Sequence, residues 1–423
     1  MLSRNTPPPL LPLQQLDDVR YTEHTLRNGI KLYAINTGTQ EVVRVSLVFN
    51  AGTRYQTQKL VAGATLALMS EGTQRYSAQQ VAEGFDFLGS AYEQSIDKDY
   101  AMLNVYSLNK HLDKSLEILN EIVQHPTFAE AELKTYAAKR KQQLKIEQEQ
   151  VVYTARQEFL SALYGKEHPY GTFAEPKDFD LLQSFMLKDF HCRYFVASCC
   201  FIVASGKIGA QEIAAINKHL ENITSGKRAA LAPLSESQIS VNENITITKE
   251  GAVQSAIRYG KLLFNKNHPD YAALQVLCMV LGGYMGSRLM QNIREEKGYT
   301  YGIFATLINY ERGGHLSIGT EVGAGLANAT VAEIEKELER LRTALIPEEE
   351  LELVRSYMCG EIIRCLDGPW AQAEALIENL QCKLTDSYAT TLFNEVKNIT
   401  PKRLQELAQQ YFDPKSMTCV IAG

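Results

Sequence analysis

The chain has 423 residues, with 43 Lys and Arg against 49 Asp and Glu for a net charge of −6, and 45% hydrophobic residues. That supplies at least one full core and, by length, two or more domains. The mildly acidic balance offers no basic field for a phosphate backbone and excludes nucleic acid as the main partner.

In chain order, the first 18 residues, MLSRNTPPPLLPLQQLDD, carry one Arg, a proline-broken apolar patch and no small-residue cleavage site. They do not read as a secretory signal, and a cytoplasmic location is expected. Alternating or β-branched content predicts strands over 29–36 and 42–50. Helical spacing predicts helices over 58–69 and 77–88, the second opened by a capping box, Ser77 with Gln80. A strand over 100–107 and helices over 110–124 and 130–150 follow. Residues 226–243, GKRAALAPLSESQISVNE, are rich in small and polar side chains and read as a linker, dividing 1–225 from 226–423. Beyond it come a strand over 255–263, a helix over 269–281, a strand over 302–308 and helices over 324–341 and 347–366. Apolar runs such as 45–49 and 276–281 fall well short of the roughly 20 residues a membrane-spanning helix needs, so no transmembrane segment and no membrane partner are expected.

The tails of the two halves repeat one pattern. Residues 187–206, LKDFHCRYFVASCCFIVASG, and 404–423, LQELAQQYFDPKSMTCVIAG, match at an offset of 217, Tyr194 to Tyr411 and Gly206 to Gly423. Each reads as a helix followed by a strand, and in the second copy Thr400 is the N-cap and Pro401 the first helical residue. Hairpin-like groups of strands separated from runs of helices predict an α+β fold rather than a βαβ alternation.

Chemistry is harder to find. Cys192, Cys199, Cys200, Cys278, Cys359, Cys365, Cys382 and Cys419 form no CxxC pair and read as reduced core thiols. A catalytic zinc commonly uses two His one helical turn apart plus a carboxylate. The nearest histidines, His111 and His125, are 14 residues apart, and the carboxylates at i,i+4 spacing are Glu121 before His125 and Glu311 before His315. His125 precedes Pro126, at a helix end where it meets the C-terminal dipole without any metal. No GxSxG elbow announces a nucleophile.

The most distinctive stretch is residues 281–301, LGGYMGSRLMQNIREEKGYTY. Gly282, Gly283 and Gly286 break one apolar helix, Ser287 opens another, and Gly298 ends it before a strand. Arg294 near the end of that helix and Tyr301 at the start of the strand offer a forked and a phenolic donor, suited to gripping a peptide carbonyl, a carboxylate or an oxyanion. The same residues fit a solvated helix turn and an ordinary strand aromatic.

This stretch resembles the C-terminal signature of the insulinase and pitrilysin superfamily of zinc peptidases (inverzincins), in the two-domain branch that includes the mitochondrial processing peptidase subunits. Ala51-Gly52-Thr53-Arg54-Tyr55, Glu71-Gly72-Thr73, Tyr164-Gly165 and His168-Pro169-Tyr170-Gly171 extend the resemblance over nearly the whole chain. It implies two similar halves, each a mostly antiparallel sheet packed with helices, closing as a clamshell. It also implies an H-x-x-E-H helix between Arg54 and Gly72. That motif is absent: its positions fall on Gly63, Leu66 and Ala67, and the distal Glu on Gln142 or Gln143, one helical turn short of Glu147. The first half therefore reads as a degenerate metal-site domain and the second as the substrate-contact domain.

The resemblance then implies a noncatalytic, peptide-binding subunit of a zinc metalloendopeptidase-like assembly. Arg294, Tyr301, Gly282, Gly283 and Gly286 would contact extended peptides, with no cofactor of its own and zinc only in a sister subunit. The competing readings are a peptide-binding or scaffold homodimer with no part in proteolysis, and a hydrolase using some unassigned Cys, His or Glu.

Overall fold

The computed structural model describes residues 16–226 and 243–423. Most of the N-terminal stretch and nearly all of the expected linker lie outside the described residues.

The first sheet is built from β1 (Thr22–Thr25), β2 (Lys31–Asn36), β3 (Val42–Phe49), β4 (Ala91–Ile96), β5 (Ala101–Leu108) and β6 (Cys200–Gly206), in the order β1-β2-β6-β3-β5-β4. Pairing is antiparallel except between β2 and β6. Around it lie α1 (Val61–Leu68), α2 (Ala78–Phe87), α3 (Leu112–Gln124), α4 (Glu130–Gln148), α5 (Val151–Tyr164), α6 (Ser184–Tyr194) and α7 (Ala210–Leu220). β3 is central and covered on both faces, which is why VVRVSLVF reads as a nearly continuous apolar run. Val43, Val45, Leu47 and Phe49 enter the main core of this half, while Val48 points the other way.

The second sheet repeats this plan with β7 (Asn244–Ile247), β8 (Gln254–Leu263), β9 (Ile303–Tyr310), β10 (Gly313–Gly323) and β11 (Thr418–Ala422), ordered β7-β11-β8-β10-β9. Again one pair is parallel, β11 with β7. Its helices are α8 (Tyr271–Cys278), α9 (Ala327–Thr343), α10 (Glu348–Arg364), α11 (Gly368–Cys382), α12 (Tyr388–Asn398) and α13 (Pro401–Tyr411). The offset of 217 holds at both ends of α6 and α13 (184 to 401, 194 to 411) and at the starts of α5 and α11 (151 to 368). The expected caps are present: Ser77 and Gln80 form the capping box, and the Thr400 hydroxyl accepts from the Arg403 amide.

Each half lends a helix to the other. α5 lays Ala155, Phe159 and Leu160 on Ala256, Val420 and Ala422 of the second sheet. α11 lays Ala373, Leu376 and Ile377 on Ile35, Val48 and Val203 of the first. The fold is the expected α+β pair of similar, mostly antiparallel halves in a clamshell arrangement.

One expectation needs correction. All eight cysteines are reduced, but only Cys199, Cys278 and Cys419 are buried, while Cys192 and Cys365 are exposed, so "core thiol" describes a minority. The i,i+4 pair Glu311 and His315 lies off any helix: Glu311 is in the β9–β10 turn and His315 is buried within β10. Among the described residues no helix is long and apolar enough to cross a membrane.

Candidate functional site

α1 begins after the turn that carries Arg54 and presents the positions that the resemblance assigns to metal ligands. Gly63 offers no side chain, Leu66 is 2% exposed and packed into the core, and Ala67 is a half-buried methyl. A Cβ on Gly63 would stand 3.9 Å from the Tyr136 hydroxyl, so a phenol from α4 occupies the space beside that position. Burial raises the Tyr136 phenol above its ordinary range, with the Arg140 guanidinium partly offsetting it. Gln143, further along α4, is exposed and donates to Glu147 Oε1 at 3.1 Å.

Zinc takes imidazole, thiolate or carboxylate donors at roughly 2.0–2.3 Å. A missing side chain, a leucine, a methyl and a neutral phenol beside a guanidinium do not fit it. Among the described residues no three His, Cys, Asp or Glu side chains are grouped to hold a metal ion.

The second place of interest follows α8, which widens into a π-helical turn over Met279–Gly283. Gly282 is fixed there by packing, since a Cβ would lie 2.7 Å from the Ala305 amide nitrogen of β9. Gly283 lies against Met279, and Gly286 is exposed beside the Tyr284 ring. A second π-helical segment, Met290–Glu296, carries Arg294. Its guanidinium is engaged by the adjacent Glu295 carboxylate. Tyr301 is 95% exposed, in a loop tied down by the Thr300 hydroxyl, which donates to Glu321 O at 2.7 Å. Among the described residues no hydrogen bond joins Arg294 to Tyr301.

The residues that sequence reading missed as a group form a buried knot between the halves. Arg54 Nη1 is 2.9 Å from Asp99 Oδ1, and Arg54 Nη2 is 2.5 Å from Glu311 Oε2. Tyr170 donates its hydroxyl to Asp99 Oδ1 at 2.8 Å, and the Glu311 amide donates to Asp99 Oδ2 at 2.9 Å. Burial opposes the charge on Arg54, but Asp99 and the Tyr55 and Tyr170 phenols outweigh it and raise its pKa further. Gly52 permits the approach: a Cβ there would meet the Asp99 backbone at 2.4 Å. The signal was the pair of segments AGTRY and HPYG, whose Arg54 and Tyr170 converge here.

Residues 31–175 match the family model described as insulinase (peptidase family M16), and residues 185–358 match the one described as peptidase M16 inactive domain. The chain belongs to peptidase family M16. The "uncharacterized zinc protease YmxG" of Bacillus subtilis is 24% identical over 393 residues, covering 92% of this chain and 95% of that protein. The "non-peptidase homolog YmxG" of Helicobacter pylori is 18% identical over 362 residues, covering 84% and 82%. A crystal structure of a peptidase M16 inactive domain from Pseudomonas fluorescens superposes with a TM-score of 0.88 at 22% identity, over 95% of this chain and 98% of that one. M16 relatives thus carry both protease and non-peptidase names on one fold, and the chemistry of this chain has to be argued from its own side chains.

Proposed function

We propose that this M16 protein is a noncatalytic, peptide-binding subunit that works beside a zinc-bearing sister chain, in the cytoplasm. The observation that carries the reading is α1: Gly63, Leu66 and Ala67 give a water no metal to lower its pKa and no carboxylate to take its proton. The non-peptidase name of the Helicobacter pylori relative supports the same direction. Peptide binding is supported by the sheet order, in which β4 ends the first sheet, the place where an added extended strand pairs. In this reading Arg294 and Tyr301 supply substrate contacts at the exposed end of the glycine-rich segment, and residues 1–225 and 226–423 act as the two valves.

The test mixes the purified chain with a zinc-bearing M16 sister chain and follows cleavage of an extended peptide. Complex formation and an at least tenfold loss of cleavage on Arg294→Ala are expected. A homodimer that holds peptides without any effect on a sister chain would replace this reading with the scaffold one.

A further inference from the structure

α5 covers the inner face of the second sheet only in part. Beside it lies an open cavity of about 440 Å³, lined by Arg156 of α5, Arg258 of β8, Phe304 and Thr306 of β9, and His315 and Ser317 of β10. Other sequestered arginines have acids: Arg44 meets Glu374 at 2.5 Å, Arg54 meets Asp99 at 2.9 Å and Arg288 meets Glu350 at 2.8 Å. Arg258 is half-buried, yet among the described residues neither it nor Arg156 makes an ion pair with a carboxylate; Arg258 Nη1 donates to Ile257 O at 3.1 Å. Its guanidinium lies against the bare backbone of Gly319, where a Cβ would be 2.5 Å from Nη1.

Burial lowers the pKa of Arg258, with Glu321 opposing and Arg156 adding to the fall. Burial, with Arg156 adding, holds His315 down to about 4, and its Nδ1 shares a 3.0 Å hydrogen bond with the Tyr164 hydroxyl. An anion between the two guanidinium groups relieves their repulsion and takes charge-assisted hydrogen bonds. Thr306 and Ser317, opposite each other across β9 and β10, add hydroxyl donors. Phe304, 49% exposed, gives the cavity an apolar rim.

We propose that this cavity is a carboxylate-binding subsite, taking an acidic side chain or the free C-terminus of an extended peptide that passes over its mouth. The proposal rests on the peptide-binding reading and adds a chemical preference to it. Arg156 and Arg258 grip the carboxylate, and Phe304 packs against the neighbouring residue of the peptide.

The experiment uses the full chain and four dodecapeptides of Ser, Thr and Val that carry an uncharged fluorophore without a carboxylate. They carry one central Glu or Gln, each with a free or amidated C-terminus, and binding is read by fluorescence anisotropy at low salt. At least tenfold tighter binding is expected for a carboxylate-bearing peptide than for the neutral one, and which carboxylate gives the gain identifies the source. Arg156→Ala, on the exposed surface of α5, should erase that gain, as should Arg258→Met. Equal binding of all four peptides overturns the carboxylate subsite and leaves peptide binding intact. A carboxylate preference that survives both substitutions also overturns it. No binding of any peptide removes the peptide-binding reading and this subsite together.

Discussion

At the scale of single residues, the buried charges decide more than the surface ones. Arg54, with its side chain 2% exposed, bridges Asp99 and Glu311, which are 6% and 8% exposed. Removing the cation leaves Asp99 without an ion pair among the described residues and Glu311 with a single exposed lysine, which costs on the order of 3–5 kcal/mol. Arg54→Met is therefore expected to lower unfolding free energy in urea by about that much, and a loss under about 1 kcal/mol would mean that the knot is solvated. Lys383 cannot substitute for Arg54: it reaches Glu311 Oε1 at 3.5 Å from a side chain that is 75% exposed. The contrast with Arg258 is physical, because one guanidinium has its carboxylates supplied by the fold and the other has none within ion-pair reach among the described residues.

At the scale of elements, α5 and α11 exchange places between the halves, and this ties the two sheets into one unit. Trp370, the single Trp of the chain, sits on α11 with its ring 5.8 Å from Tyr106 of the first sheet, and so reports the docking of a second-half helix on the first half. Its fluorescence and far-UV circular dichroism should change together in urea, in one transition. A Trp370 change that precedes the loss of helix signal would show the halves parting first.

Much of this level was legible in the sequence. Strongly periodic or β-branched segments such as β3, β8 and α3 were expected within a few residues, because their burial and their local pattern agree. β4, AYEQSI, escaped because it is a sheet-edge strand with little apolar alternation. β10 escaped because its four glycines, Gly313, Gly314, Gly319 and Gly323, read as breakers; at Gly319 the structure uses the missing side chain to seat Arg258. The helix exchange was not legible, since the residues of α5 carry no mark of which sheet they will cover. The α1 positions followed from the family resemblance, whereas the approach of Tyr136 to Gly63 depends on how α4 crosses α1.

At the scale of the whole molecule, the chain keeps the family's two-domain fold, while α1, at the positions that the resemblance assigns to metal ligands, presents Gly63, the buried Leu66 and Ala67. Hydrolysis by zinc would need imidazoles and a carboxylate there. In the proposed reading the protein is a recognition surface built on the family's frame. The most direct measurement is metal content joined to activity: the pure chain is saturated with zinc, dialysed, analysed for bound metal and assayed on extended peptides with and without a chelator. The account predicts well under one zinc per chain and no chelator-sensitive cleavage. One tightly held zinc per chain, with peptide hydrolysis that the chelator abolishes, would contradict it.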